Sequence, residues 1–275
     1  MQIHSFSRFL SFPLILMALG IIWYSASISK SYSWLIFIPA VLLVVIYVFS
    51  GQIDFYYHKR FPLQFDEKLR TWLERYFPYY NILDADQKQK FEYRLGLYMS
   101  GRAFKSVGSE QRDVPEDIKC MVAAHGVYMT LGLDDFLIGD VDRIFLYKHP
   151  FPTPDMPWLH NVEMNAEDGV IILSLEQLTN AILNPAQFYN TAFHVYAEAL
   201  ISVHRKSLEQ LTRNGPLTVP VISGMFSEEQ ILKHTGHKEI NPLAVHIHYY
   251  FSVPEQYKTH FPELYNQLSS VFNAR

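Results

Sequence analysis

Two long runs of apolar residues fill most of the first 50 positions of the chain. They read FLSFPLILMALGIIWY from Phe9 to Tyr24 and WLIFIPAVLLVVIYVF from Trp34 to Phe49. Each run is close to the length that an α-helix needs to cross a bilayer core at about 1.5 Å rise per residue. The short polar segment SASISKSYS joins them. The pattern therefore predicts two transmembrane helices, at about residues 9–25 and 33–50, which form a hairpin with internally satisfied backbone groups.

Basic residues near the hairpin predict its orientation. Arg8 precedes the first run, Lys59 and Arg60 follow the second, and Lys30 lies in the connecting turn. Because basic flanks stay on the cytoplasmic side, both ends of the hairpin are expected in the cytoplasm. Two other interpretations of the apolar runs stay open: a cleaved signal peptide, and buried helices of a soluble core. After signal cleavage, the second run would still deliver the following residues to the cytoplasm.

The pattern changes after residue 50 to apolar positions at helical spacing with charges between them. Residues 51–62 are interpreted as a juxtamembrane linker, and residues 63–275 as one mostly helical domain. Spacing and capping pairs place its helices. They are expected at 65–76, 84–100, 115–131, from 174, 187–211, 227–234, 241–253 and 262–272. Asn214, Gly215 and Pro216 are expected to end the longest one.

Two short runs rich in β-branched and aromatic residues predict strands within this domain. They are Arg143–Tyr147 (RIFLY) and Gly169–Leu173 (GVIIL). The segment from His149 to His160 contains four prolines, so it is expected to be a loop. The fold class that follows is α+β, mostly α, with a small sheet.

Composition narrows the functional classes. The lone Cys120 rules out an intramolecular disulfide and suits a reducing compartment. The net charge is −4, and no stripe rich in Lys and Arg is present. Nucleic-acid binding requires clustered cations to neutralise phosphates, so no nucleic-acid partner is expected.

The segment Asn190–Leu200, NTAFHVYAEAL, contains the candidate chemistry. His194 and Glu198 are four positions apart, so they share one face of the predicted helix and could both reach a metal ion. The H-E-x-x-H metallopeptidases use this spacing for two ligands, with the intervening Glu as general base for a zinc-bound water. Taken alone, a His and a Glu at this spacing are more often an ordinary solvated or capped pair.

Five segments, in the same order and over about 150 residues, carry a more specific signal. They are 118–133 (IKCMVAAHGVYMTLGL), 144–151 (IFLYKHPF), 169–175 (GVIILSL), 190–200 (NTAFHVYAEAL) and 244–265 (AVHIHYYFSVPEQYKTHFPELY). In these segments the chain resembles the MtfA (DgsA anti-repressor) family of glucose-regulated zinc peptidases. The resemblance implies a zincin-like metallopeptidase domain. One member of that family also binds a transcriptional repressor of sugar uptake.

The resemblance assigns the family's site residue by residue, with departures. The first metal ligand is retained as His194, and the second, a His in the family, is Glu198. The general-base position holds Val195, which has no titratable group. The third ligand, a Glu in the family, falls at His248, and the aspartate that closes the motif falls at Ile201. The resemblance thus implies a site that is altered at most of its positions.

Two interpretations of the altered site stay open. In one, His194, Glu198 and His248 are a ligand set of two imidazoles and one carboxylate, which still suits Zn²⁺. In the other, the site has decayed and these side chains make only hydrogen bonds. Ordinary peptidase activity would require another base, such as His246 or Tyr249.

The leading hypothesis is a pseudoenzyme, anchored in the bacterial inner membrane with its domain facing the cytoplasm. Its expected partners are the bilayer and a protein regulator or peptide. The alternative is an active zinc-dependent peptidase or hydrolase with the rearranged site.

Overall fold

The computed structural model describes residues 6–28, 30–61, 64–108, 113–208, 211 and 217–272. The chain divides into two compact units, Met1–Asp66 and Glu67–Arg275. Residues 214–216, which the sequence predicts as a helix end, lie outside the described residues.

The first unit is helical. It comprises α1 (Phe6–Ser27), a 3₁₀ helix (Lys30–Ile36), α2 (Phe37–Val48) and α3 (Ser50–Arg60). The segments Phe6–Ser27 and Lys30–Val48 are long and apolar enough to cross a membrane, judged by length and composition. Most of the residues that the sequence analysis interprets as a linker are helical and belong to α3. The backbone and hydroxyl of Ser7 donate to the carboxylate of Asp54 at 2.7 and 3.0 Å, which fastens the start of α1 to α3.

The second unit is mostly helical, and its helices follow the capping signals of the sequence. They are α4 (Glu67–Tyr76), α5 (Pro78–Asn81), α6 (Ala85–Gly101), α7 (Glu116–Met129), α8 (Leu175–Leu183), α9 (Thr191–Val203), α10 (Arg205–Leu208), α11 (Glu228–Thr235), α12 (Pro242–Ser252), α13 (Pro254–His260) and α14 (Pro262–Phe272). Asp84 with Gln87 and Ser227 with Gln230 form complete capping boxes at α6 and α11. The predicted starts of these two helices are therefore confirmed.

One long helix was predicted wrongly at its start. The side-chain oxygen of Asn190 accepts hydrogen bonds from the backbone of Ala192 and Phe193 at 3.1 and 3.2 Å. Asn190 is therefore the N-cap, and α9 begins at Thr191 and not at residue 187. The helix ends at Val203, and α10 follows after a break at His204.

A small mixed sheet completes the second unit. Its strands are β1 (Ala103–Val107), β2 (Arg143–Tyr147), β3 (Val162–Asn165) and β4 (Val170–Ser174), in the spatial order β1-β2-β4-β3. β1, β2 and β4 are parallel, whereas β3 pairs antiparallel with β4 at the edge of the sheet. β2 has its predicted bounds, and β4 is shifted by one residue. The sequence analysis missed β1 and β3, because both are short and carry polar residues.

The core of the second unit centres on α7, α9 and α12, each with a long series of buried residues. Gly126 of α7 faces the ring of Tyr196 on α9 so closely that an added Cβ would lie 2.7 Å from Cε1 of that ring. The Tyr196 hydroxyl in turn lies 3.3 Å from that of Tyr98 on α6. The small residue in α7 thus allows the two central helices to pack around a buried aromatic ring.

Candidate metal centre

The helix α9 places His194 and Glu198 one turn apart on a shared face. His194 Nε2 lies 3.6 Å from Glu198 Oε1. The His194 side chain is fully buried, and the Glu198 side chain keeps 20% of its surface exposed. The structure therefore brings these two sequence-predicted residues together.

A third candidate ligand, His237, enters from the segment that follows α11. The helix α11 ends at Thr235 and is capped by Gly236, which adopts the left-handed conformation with φ of 78°. A Cβ at Gly236 would lie 2.4 Å from the Cα of His160, so the two backbones require glycine here. The Trp158 indole N–H donates to the Gly236 carbonyl at 2.8 Å, which fixes this chain turn. The backbone geometry thus positions His237 against the edge strand β3.

His194, Glu198 and His237 form a cluster that could hold a metal ion. One ligand atom from each residue lies within 4.8 Å of the other two. We call these three residues the metal cluster. Two neutral imidazoles and a carboxylate are a donor set that suits zinc.

In each of the two histidines, one ring nitrogen faces a hydrogen-bond partner outside the metal cluster, and the other nitrogen stays available to bind a metal. His237 Nε2 donates to the Val162 carbonyl at 2.7 Å, so Nδ1 keeps the lone pair. His194 Nδ1 lies 3.0 Å from the Tyr189 hydroxyl. His194 Nε2 is buried and has no hydrogen-bond partner among the described residues. An unpaired buried nitrogen that faces a carboxylate fits a metal ligand.

The electrostatics of the cluster favour the protonation states that metals require. Burial works to raise the pKa of Glu198, but the interactions with His194 and His237 outweigh it and lower that pKa. Burial is the main cause that lowers the pKa of His237. At neutral pH the cluster therefore presents an ionised carboxylate and a neutral His237 imidazole.

His248, the third ligand expected from the family resemblance, packs against Tyr189, which also contacts His194. It is a buried residue of α12, with its ring centroid 4.2 Å from that of Tyr189 and 5.8 Å from that of Phe193. Burial, with smaller effects of His194 and His125, lowers the pKa of His248 well below its usual value. It is not one of the three residues in the metal cluster. Its role as a ligand stays a prediction.

The general-base position is occupied by a side chain without a proton acceptor. Val195 is fully buried next to His194. The sequence offered His246 and Tyr249 as substitutes, but His246 binds the Tyr257 hydroxyl and the Thr218 carbonyl through its two nitrogens. The Tyr249 hydroxyl donates to the Phe226 carbonyl at 3.2 Å. Each of these candidate bases is therefore already engaged in hydrogen bonds with neighbouring residues.

Glu198 of the metal cluster also lines a cavity. This cavity has a volume of about 510 Å³, and we call it the Glu198 cavity. Met164 and Ala166 at the sheet edge, and Arg205 and Asn241 from the helical side, also line it. A molecule in the Glu198 cavity would therefore contact one of the three candidate ligands.

These features define an α+β domain with candidate metal-ligand side chains on a central helix, the arrangement expected of a metallopeptidase. A sequence model of the family described as glucose-regulated metallo-peptidase M90 matches residues 57–200, just over half of the chain. The chain belongs to this family, and the resemblance given by its motifs is confirmed. No curated protein sequence matches the chain significantly. The family match includes His194 and Glu198 and ends before His237 and His248.

The sequence analysis missed His237. It is one of several histidines in the C-terminal part, and no motif spacing marks it. The signal that distinguishes it is three-dimensional, because it depends on the turn at Gly236 and on the contact with β3.

Proposed function

We propose that this protein is a membrane-anchored member of the metallopeptidase family that binds a divalent metal but hydrolyses peptides poorly. In this proposal it acts as a metal- or protein-binding module with a zincin-like scaffold. The observation that carries the proposal is the metal cluster, in which two imidazoles and a carboxylate converge beside a buried aliphatic residue at the general-base position.

His194, Glu198 and His237 would hold the metal. His194 would bind through Nε2, because Nδ1 is directed at the Tyr189 hydroxyl. His237 would bind through Nδ1, because Nε2 donates to the Val162 carbonyl. When bound, zinc supplies a Lewis acid that polarises a carbonyl or lowers the pKa of a water molecule.

Impaired hydrolysis follows from the residue next to the first ligand. A metallopeptidase of this type requires a carboxylate that takes a proton from the attacking water. Val195 cannot accept a proton, and its side chain is fully buried. A second candidate function, an active hydrolase, is favoured by one observation: the Glu198 cavity leads directly to a cluster residue.

Metal content and peptide hydrolysis of the purified full chain in detergent test the proposal. We expect about one bound zinc per chain, as is usual for a single three-ligand site, and no hydrolysis that a chelator abolishes. Chelator-sensitive hydrolysis would establish the active hydrolase instead. A chain that binds no zinc would refute metal binding.

A matched pair of histidine variants separates the site from unspecific binding. His194→Ala removes a buried cluster residue, whereas His260→Ala removes an exposed histidine of α13. The proposal requires that zinc content falls in the first variant and is unchanged in the second. Equal loss in both would indicate that zinc binds to surface histidines.

Membrane anchoring is supported by the two apolar helical segments of the first unit. Arg8, Lys59 and Arg60 flank them, which supports a cytoplasmic position for the second unit. A fluorescent reporter that folds only in the cytoplasm, fused after Arg275, should be active, and an alkaline phosphatase fused there should be inactive. The opposite pattern would refute this orientation.

A protein partner is proposed from the family resemblance, since one family member binds a regulator. A net charge of −4 supports a partner other than nucleic acid. Chemical crosslinking of the full chain in intact cells tests this part. It should give a defined crosslinked species that depends on the second unit.

A further inference from the structure

A second cavity of the domain lies near the N-terminal end of α9. Its volume is about 260 Å³. Its wall includes Asn190, the cap of α9, together with His125 of α7 and His248 of α12. His194, Glu198 and His237 are not among the described residues that line it. We call it the His248 cavity, and it is distinct from the Glu198 cavity.

The wall of the His248 cavity is aromatic and uncharged. Phe77, Tyr79, Phe188, Phe226 and Tyr249 contribute rings to it, and no Asp, Glu, Lys or Arg is among its described lining residues. Burial lowers the pKa of His125 to about 4, so this imidazole is neutral at pH 7. An ionised ligand would lose its hydration here without gaining a counter-charge.

One polar side chain of this wall has an unmet hydrogen bond. His125 uses Nδ1 on the Met121 carbonyl at 2.9 Å and Nε2 on the Asn190 amide at 3.0 Å. Asn190 in turn uses its oxygen to cap α9. His248 Nδ1 is buried and has no hydrogen-bond partner among the described residues. Buried polar groups are rarely left unpaired, so this nitrogen requires an explanation.

We propose that the His248 cavity binds a neutral aromatic molecule that carries one hydrogen-bonding group, which pairs with the His248 imidazole. Aromatic walls favour a planar ring through edge-to-face contacts. An apolar cavity of about 150 Å³ is enough to bind benzene, so the larger volume here accommodates a two-ring molecule such as indole. This proposal does not depend on metal binding by the metal cluster.

Binding of indole and indene to the full chain in detergent tests the proposal. Indene has the shape of indole without its N–H group. Saturation-transfer nuclear magnetic resonance measures both affinities, and partition into micelles is the same for all variants and cancels in their comparison. We expect both compounds to bind, and indole-3-acetate, which is anionic, not to bind. Equal binding of indole-3-acetate would overturn the proposal.

Two tryptophan variants locate the bound molecule. Ala186 is an exposed residue at the wall of the His248 cavity, and Ala166 is an exposed residue at the wall of the Glu198 cavity. Ala186→Trp should reduce binding of both compounds by at least about 10-fold, the effect of losing a few apolar contacts. Ala166→Trp should leave binding unchanged. The reverse pattern would place the molecule in the Glu198 cavity and refute the proposal.

The variant His248→Leu tests the hydrogen bond. It should weaken indole binding by about 2- to 10-fold, the effect of one hydrogen bond, and leave indene binding unchanged. An equal loss for both compounds would show that His248 only shapes the wall. If the Ala186→Trp variant is unstable, Ser252→Phe can replace it, because it places a large side chain at another position that lines the His248 cavity.

Discussion

The Nε2–H group of His237 donates a hydrogen bond to the backbone carbonyl of Val162, with 2.7 Å between nitrogen and oxygen. This bond joins the metal cluster to the edge strand β3 and leaves Nδ1 of the imidazole with a lone pair. The third candidate ligand therefore comes from the turn after α11, whereas the family resemblance predicts it on α12, at His248.

The first prediction distinguishes these two histidines as ligands. His237→Ala should lower zinc affinity by more than the roughly 10- to 100-fold that is typical when a residue that hydrogen-bonds to a metal ligand is lost. His248→Ala should change it by less than about 10-fold, because it leaves the metal cluster intact. Competition with a fluorescent zinc chelator measures both affinities. A large loss in the His248 variant alone would instead support the ligand set that the sequence predicts.

The second prediction concerns Tyr189, a positioning residue for His194. Its hydroxyl lies 3.0 Å from His194 Nδ1 and is buried. Tyr189→Phe removes this partner and releases the ring orientation that directs Nε2 into the metal cluster. We expect zinc affinity to fall by about 10-fold, with little change in unfolding temperature. Tyr265→Phe, at a residue of α14, is the control and should have wild-type affinity.

Much of the fold could be predicted from local signals in the sequence. The capping pairs at Asp84 and Ser227 placed helix starts correctly, because each satisfies free backbone N–H groups within four residues. The strand β2 was found because three of its five residues, Ile144, Phe145 and Tyr147, are β-branched or aromatic. By contrast, β3 was missed, because its four residues become a strand only by pairing with β4.

The candidate site could be predicted only where helical periodicity determines it. His194 and Glu198 share a face of α9 because they are four residues apart. His237 belongs to another segment, 39 positions beyond Glu198 by the sequence numbering, and only the tertiary contact with Val162 brings it to the metal cluster. Sequence spacing carries no information on such a contact.

The third prediction restores the missing base. Val195→Glu introduces a carboxylate at the position that carries the general base in the family motif. We expect hydrolysis of a peptide substrate that depends on zinc and is abolished by a chelator. Val195→Gln, which has nearly the same shape but no basic group, should remain inactive. A zinc-loaded and folded Glu variant without activity would show that the altered ligands also prevent catalysis.

The fourth prediction is a pH dependence of stability caused by His125. Burial lowers its pKa to about 4 in the folded protein, against about 6.5 when unfolded. Below pH 6.5 the unfolded chain binds a proton that the folded chain does not. The contribution of His125 to the free energy of unfolding is therefore fully present above pH 6.5 and is lost as the pH falls towards 4. The loss is up to about 3 kcal/mol, at 1.36 kcal/mol per pKa unit.

The variant His125→Gln isolates this effect from the other titrating groups. Its amide can accept the hydrogen bond from Asn190, but it does not titrate. Denaturant unfolding at several pH values should give a shallower decline for the variant than for the wild type between pH 6.5 and 4. Parallel declines would show that His125 does not carry the pH dependence.

The last prediction uses two helical glycines in different surroundings. An added Cβ at Gly96 of α6 would meet nothing within 4 Å, whereas at Gly126 of α7 it would lie 2.7 Å from the buried Tyr196 ring. Gly96→Ala should therefore stabilise the protein by about 0.5–1 kcal/mol through helix propensity. At Gly126 the same gain is outweighed by overpacking of about 1–3 kcal/mol, so Gly126→Ala should be destabilising.

The ring of Tyr196 is the proposed cause of the difference between the two glycines, and a double variant tests it. Replacing Tyr196 with Leu removes the ring atoms that an alanine at position 126 would meet. In the Tyr196→Leu background, Gly126→Ala should lose most of its cost and become neutral or stabilising, as measured by denaturant unfolding. If Gly126→Ala is equally destabilising in both backgrounds, the close approach of α7 to the Tyr196 ring does not determine the requirement for glycine.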